Sequence, residues 1–172
     1  GKYNYASIGN GSLSHLAMEA IARASGTSIV HIAYASSPQA ATSIIRGDTQ
    51  MGCLPAVAAT SQAEAGNLKV IAVSTPERSP LIPGVPTLEE SGIDVEAEAW
   101  NGLVAPARTP PAVVERLGDA VREVLSTAAV RDKLATQVMV PIPSTPEAFR
   151  GRVEAELRRW GPVIEAAGIK AN

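Results

Sequence analysis

Serine, glycine, asparagine and histidine crowd into one short stretch near the start of the chain, SIGNGSLSHLAMEA, from Ser7 to Ala20. Ser7, Ser12 and Ser14 offer hydroxyl donors of short reach. Gly9 and Gly11 let the main chain turn tightly and bring N–H groups close to a guest, and Asn10 tolerates a left-handed conformation. If a strand ends at Ile8 and a helix begins near Ser12, the stretch is the first strand-to-helix turn of a parallel sheet. Such turns lie at the carboxyl edge, where open α/β sheets bind ligands. A helix start leaves N–H groups unpaired and its dipole favours negative charge, so the natural guest is a carboxylate or a phosphate. The same residues are equally consistent with a plain turn in which Ser12 caps a helix and nothing is bound.

Sharper chemistries fit less well. A dinucleotide site wants a third glycine where Ser14 stands, and an acid at the end of the second strand, which instead reads HIAYASS. A phosphate-binding loop needs a lysine after its glycines, and none is near. A hydrolase elbow wants G-x-S-x-G, and Gly11-Ser12-Leu13-Ser14-His15 has no second glycine. Ser12 or Ser14 with His15 remains as an alternative reading, a small hydrolase or transferase, but it requires a third orienting acid, and helix neighbours point about 100° apart. His15, on the first helical turn, reaches the turn or its ligand; His31, inside a strand, reads as structural. Two histidines far apart and one cysteine give no metal site, and no cofactor is implied.

Charge and hydropathy narrow the partners. In 172 residues, 15 Lys and Arg stand against 17 Asp and Glu, interspersed, so no basic run exists to follow a nucleic acid backbone. No apolar run reaches the length that spans a bilayer, and the opening GKYNYAS resembles neither a signal nor a transit peptide. The single cysteine, Cys53, excludes an intramolecular disulfide and reads as a small packing residue. With aromatics at 3%, the core must be built from Ala, Val, Ile and Leu.

These residues need elements to position them. Apolar, β-branched runs at 3–8, 28–34, 49–54 and 69–75 alternate with helical patterns, the arrangement of parallel strands joined by crossover helices. Leu13, Leu16, Ala17, Ala20, Ile21 and Ala24 form a helical stripe that Gly26 stops. A second helix starts with Ser37 as N-cap and Pro38 in its first turn and ends at Gly47; a third closes at Gly66. Four prolines and two glycines then make 74–93 a crossing segment without regular elements. Further on the pattern predicts a strand within 95–107, a helix opened by Thr109-Pro110, a short helix near 128–135, a strand near VMVPI and a last helix from Thr145. That last helix carries Phe149, Val153, Leu157, Trp160, Ile164 and Ala167 on one stripe. Two strands among three helices are too few for an independent second sheet.

At this point the residues carry a resemblance. SxGxGSxSHLAxE (7–19), IVHIAY (29–34), AGNLKVIAVSTPERSPLIPGVPTLEESG (65–92), WNGLVAPARTPPAVVERL (100–117) and RWGPVIEAAGIK (159–170) resemble, in order and spacing, the Bug or TctC-like extracytoplasmic receptors of tripartite tricarboxylate transporters. The resemblance implies a periplasmic-binding-protein-like α/β fold of two lobes that close on a small organic mono- or dicarboxylate and hand it to membrane permease subunits, with periplasmic location and no catalysis. Residues 1–96 would be the family's complete second lobe. Residues 97–172 would be the crossing strand and helical part of an incomplete first lobe, because family members extend further at the N-terminus. The incomplete lobe would leave an apolar sheet edge open to pairing with another copy, a third reading as an interaction module. Carried over position by position, Ser7, Gly9, Asn10, Gly11 and Ser12 match the carboxylate-binding turn, with His15 beside it. Tyr34 matches the tyrosine ending the next strand, and Cys53 and Pro55 flank the turn after the third, where the family has a more polar pair. Trp100 would line the cleft or plug the hinge.

Overall fold

A computed structural model of the chain describes residues 2–170. They form two compact units, one of the described residues up to Ala99 with those from Trp160 onward, the other Trp100–Arg159.

The first unit is built from β1 (Asn4–Ser7), α1 (Leu13–Ala24), β2 (Val30–Ala33), α2 (Ser37–Arg46), β3 (Met51–Gly52) and α3 (Ala56–Glu64). All pairing is parallel, in the order β2-β1-β3, with Tyr5 opposite both His31 and Met51 and Ala6 opposite Gly52. β1 is therefore central, and Tyr5, Ala6 and Ser7 are fully buried. Because β2 lies on one side of β1 and β3 on the other, the chain changes direction between β1 and β3. Beyond the carboxyl ends of such a strand pair an open sheet leaves a crevice. Gly52 permits a close approach there. A Cβ at that position would stand 2.8 Å from the Ala6 carbonyl oxygen and 3.2 Å from Ile44 Cδ1.

α1 begins where its sequence places it. The Ser12 side chain accepts from the His15 N–H, and Gly26, at φ +64°, closes the helix while Thr27 N–H returns to the Ala22 carbonyl at 2.9 Å. Its buried face differs from the apolar stripe. Leu16 and Ala17 join Ala97 and Trp160 in the core, with Leu13, Ala20, Cys53, Val163 and Ile169 packed around them; Ala24 is exposed, whereas Ser14 and His15 are buried. α2 starts one residue earlier than expected, with Ser36 as N-cap and Pro38 in the first turn, and it ends on Gly47 at φ +80°.

The strand expected at 69–75 does not form. Val73 makes one isolated parallel bridge to Thr87, accepting from Leu88 N–H and donating to the Pro86 carbonyl, both at 2.9 Å. The proline-rich stretch has no regular element, as its composition dictates, and is pinned by side chains. Arg78 Nε donates to both oxygens of Glu90, Glu90 accepts from Thr87 N–H at 2.7 Å, and Thr87 Oγ1 accepts from Glu90 N–H at 3.0 Å.

The second unit contains α4 (Pro111–Ser126), α5 (Ala128–Ala135) and the first part of α6 (Pro146–Ala166). No strand is present among its described residues, so those expected within 95–107 and near VMVPI are absent; Val138 lies at φ +55°, a conformation no strand uses. α4 begins at Pro111 with Pro110 as N-cap, one residue after the expected Thr109. Thr145 caps α6 by accepting from Ala148 N–H. Of the α6 stripe Trp160 is buried, while Leu157 is 71% exposed. The ring of Trp100 meets Phe149 edge to face at 5.2 Å, and the Arg152 guanidinium lies 5.8 Å from its centroid, so this tryptophan is held within the second unit.

Candidate functional site

β1 delivers the chain into the turn at Ser7, whose buried hydroxyl organises the loop from below. Its Oγ accepts from Gly9 N–H at 3.2 Å, donates to the Gly9 carbonyl at 3.1 Å and lies 2.6 Å from His31 Nε2. With the serine proton on Gly9, His31 is the donor, which fixes its proton on Nε2. Gly9 and Gly11 adopt φ +127° and +70°, conformations that exclude most side chains. Asn10 does not use the left-handed region. It reaches across instead, Nδ2 donating to the Lys170 carbonyl at 3.3 Å.

His15 lies beneath this turn, only 5% exposed. Its Nδ1 accepts from Gly11 N–H at 3.1 Å, so the neutral ring carries its proton on Nε2, 3.9 Å from Glu19 Oε1. Parallel pairing of β1 with β2 then stacks the second imidazole on the first. The His15 and His31 centroids are 3.7 Å apart with planes inclined by 12°, and Tyr5 covers His31 at 5.0 Å. Tyr5 donates its phenol proton to Glu19 at 2.5 Å. Burial depresses the pKa of both histidines below the ordinary imidazole value; the neighbouring His15 depresses His31 further, while Glu19 pulls both the other way. Burial, then the Glu19 hydrogen bond, pushes the Tyr5 phenol far up, so it stays protonated.

The hydroxyls of the turn are committed to internal partners. Ser12 Oγ donates to the Gly9 carbonyl at 2.7 Å, and Ser14 Oγ donates to the Cys53 carbonyl at 2.5 Å, tying the start of α1 to the segment after β3. Among the main-chain donors Gly9, Gly11 and Ser12 are likewise occupied, Ser12 N–H by the Gly9 carbonyl at 3.3 Å. The N–H groups of Asn10, Leu13 and Ser14 have no acceptor among the described residues. These three, at the first turn of a helix, are the donors an anion would use.

The other expected site residues fall into two groups. Cys53 and Pro55 follow β3, and the Cys53 carbonyl meets the start of α1 through Ser14; Cys53 is half-buried against the core, burial pushes its thiol up, and Pro55 is exposed. Tyr34 follows β2, and its N–H reaches the Ser7 carbonyl at 3.0 Å, but its hydroxyl turns to Ser43 Oγ at 2.5 Å on α2, and Ser43 continues to Thr49 at 2.9 Å. His31, read as merely structural, contacts the turn directly through Ser7; Tyr5 and Glu19 belong to the same cluster. The i to i+4 spacing of His15 and Glu19 is a visible signal, whereas the contact with His31 depends on strand register. Among the described residues no group of three or more side chains could hold a metal ion, and no helix is long and apolar enough to cross a membrane.

A parallel sheet with its switch point between β1 and β3, and a glycine turn with unpaired N–H groups beyond the central strand, has the architecture of an open α/β lobe. Residues 1–169 match the family described as tripartite tricarboxylate transporter family receptor, and the chain belongs to that family. It is 32% identical over 168 residues to an Agrobacterium vitis protein from the ttuE-ttuC' intergenic region, and 30% identical over 161 residues to BugT of Bordetella pertussis. These alignments cover 95% and 93% of this chain but 49% of each relative, so the chain spans about half the length of the curated relatives it matches. Among solved structures, an adipate-bound protein of R. palustris superimposes with a TM-score of 0.85 at 28% identity, covering 98% of this chain and 56% of that one. MatC from Rhodopseudomonas palustris with bound malate gives 0.77 at 29%, covering 94% and 56%. The periplasmic-binding-protein-like α/β class expected from the sequence is the class found.

Proposed function

We propose that this chain takes part in capturing a small organic mono- or dicarboxylate in the periplasm for delivery to a tripartite tricarboxylate-type permease, by non-covalent binding and without a cofactor. The lobe that supplies the anchor is the one expected over 1–96, to whose core the end of the last helix adds Trp160 and Val163. Ser7, Gly9, Gly11, Ser12 and His15 shape the turn, and the main-chain donors of Asn10, Leu13 and Ser14 receive the carboxylate. Cys53 and Pro55 border it with an apolar surface, while Tyr34 supports the adjoining strand end. The observation that carries this reading is the set of three unpaired N–H groups at the carboxyl edge of the central strand. The adipate and malate bound by the similar structures supply the ligand class.

The hydrolase reading lacks its geometry. Neither Ser12 nor Ser14 donates to His15, whose Nδ1 is occupied by Gly11. Ser7 does contact a histidine, yet it is 0% exposed and offers no substrate a path to its oxygen.

Titrating isotopically labelled protein with adipate and with malate at pH 7 tests the proposal. The amide resonances of Asn10, Leu13 and Ser14 should move together, more than those of Gly9 and Gly11. Saturating either acid without perturbing these three amides would overturn it. Calorimetry against C4 to C6 acids then ranks the ligands.

A further inference from the structure

We propose that His15 is the positioning residue of the anion turn: its unprotonated Nδ1, in a ring held flat against His31, draws the Gly11 N–H inward and so sets which main-chain donors remain for a ligand. This rests on the carboxylate reading above and adds a residue that acts through the backbone, without touching the ligand. Three observations converge on it. Gly11 N–H has the imidazole nitrogen as its acceptor at 3.1 Å. The ring cannot swing away, because His31 stacks on it at 3.7 Å and is itself fixed by Ser7 at 2.6 Å and covered by Tyr5 at 5.0 Å. And Ser7, the anchor of His31, also holds Gly9 through both its N–H and its carbonyl, so one cluster, Ser7 and His15 buried and His31 half-buried, grips the turn at positions 9 and 11.

The grip requires a neutral ring. Protonated at Nδ1, His15 would present a donor to the Gly11 N–H, and the two would repel. The titratable groups facing His15 are Glu19 on its own helix, Tyr5 on β1 and His31 on β2; Arg23 lies one turn further along α1 and borders a shallow depression with Glu19. Glu19 favours the charged ring, while burial opposes it.

Proton-detected titration of the labelled 172-residue chain without ligand tests the idea. The Gly11 amide resonance should move in the same pH step as the His15 Cε1–H, below the ordinary imidazole range. His15→Asn places an amide oxygen where Nδ1 stood. It should abolish the step and keep Gly11 amide exchange within about twofold of the parent, whereas His15→Leu should accelerate that exchange about tenfold, as expected for one lost hydrogen bond. If His15 titrates while the Gly11 amide stays still, or if the Asn variant loses protection as the Leu variant does, the proposal is wrong. Should the Leu variant fail to fold, the parent titration and the Asn variant still decide. Adipate added to the same samples should bind about tenfold more weakly to the Leu variant and unchanged to the Asn variant. An absence of adipate binding to the parent chain would defeat the carboxylate reading alone, since the Gly11 titration is read without ligand.

Discussion

Two irregular stretches of the first unit must each hold a fixed shape without a helix or strand of their own, and they do it in opposite ways. The turn after β1 is gripped from beneath by neutral groups, the buried Ser7 and His15 and the half-buried His31, with Tyr5 and Glu19 behind them. The proline-rich stretch is pinned from outside by an exposed ion pair, Arg78 to Glu90, and a reciprocal exchange between Thr87 and Glu90. A buried polar network is specific about geometry and sensitive to protonation, because every donor must keep its acceptor. An exposed pair tolerates motion and contributes little beyond orientation. The stretch assigned to a ligand uses the first device, and the connecting stretch the second.

Acidification should separate the two most strongly. Both histidines have depressed pKa values in the folded protein, so their contribution to stability is complete above the unfolded value of about 6.5 and is lost as pH falls from there toward the folded values. Thermal unfolding followed from pH 7.5 to 5.0 should show a falling Tm, with a slope of up to about 1.4 kcal/mol per pH unit for each histidine. The Glu90 carboxyl, held low chiefly by Arg78, keeps its contribution until the unfolded carboxylate begins to protonate at the acid end of that window, so the proline-rich stretch should add little slope. A His15→Asn, His31→Asn double variant that keeps the full pH dependence would contradict the assignment.

Ser7→Ala comes next. It strips Gly9 N–H and His31 Nε2 of a shared buried partner and should lower stability by about 2 kcal/mol in urea unfolding. Thr87→Ala removes a buried hydroxyl that caps a single turn, for about 1 kcal/mol. Arg78→Ala should have the smallest effect, and 1 M NaCl, which shortens screening to about 3 Å, should bring the parent close to the variant. A larger loss for Arg78→Ala than for Ser7→Ala would reverse the comparison.

The alternation of β-prone runs with helical stripes is enough to place β1 through α3, because each helix there carries its own punctuation in Ser12, Gly26, Pro38, Gly47 and Gly66. Strands beyond β3 are not legible for a physical reason. KVIAVST has the composition of a strand, but a strand exists only beside a partner, and Val73 finds just Thr87. The VMVPI run looks equally suitable, yet Val138 turns left-handed at its start. At the site, the glycines and Ser12 announce the turn. Nothing in a linear sequence announces that Tyr5 pairs with His31, and without that register the stacked imidazoles and the inward-turned Ser7 hydroxyl stay invisible. His15 faces the protein interior beside Leu16 and Ala17, at the edge of the apolar stripe of α1.

Gly52 makes the point at which β3 meets the central strand intolerant of change. Its missing side chain lets two backbones approach until the Ala6 carbonyl oxygen lies 2.8 Å from where a methyl would stand, with Ile44 closing the other side. Across a saturation library selected for folding, codon 52 should thus return glycine almost alone, while Gly9, with nothing within 4 Å of its virtual methyl, should be restricted by dihedral preference and not by crowding. Two glycines of the same unit would then leave different mutational fingerprints, one steric and one torsional.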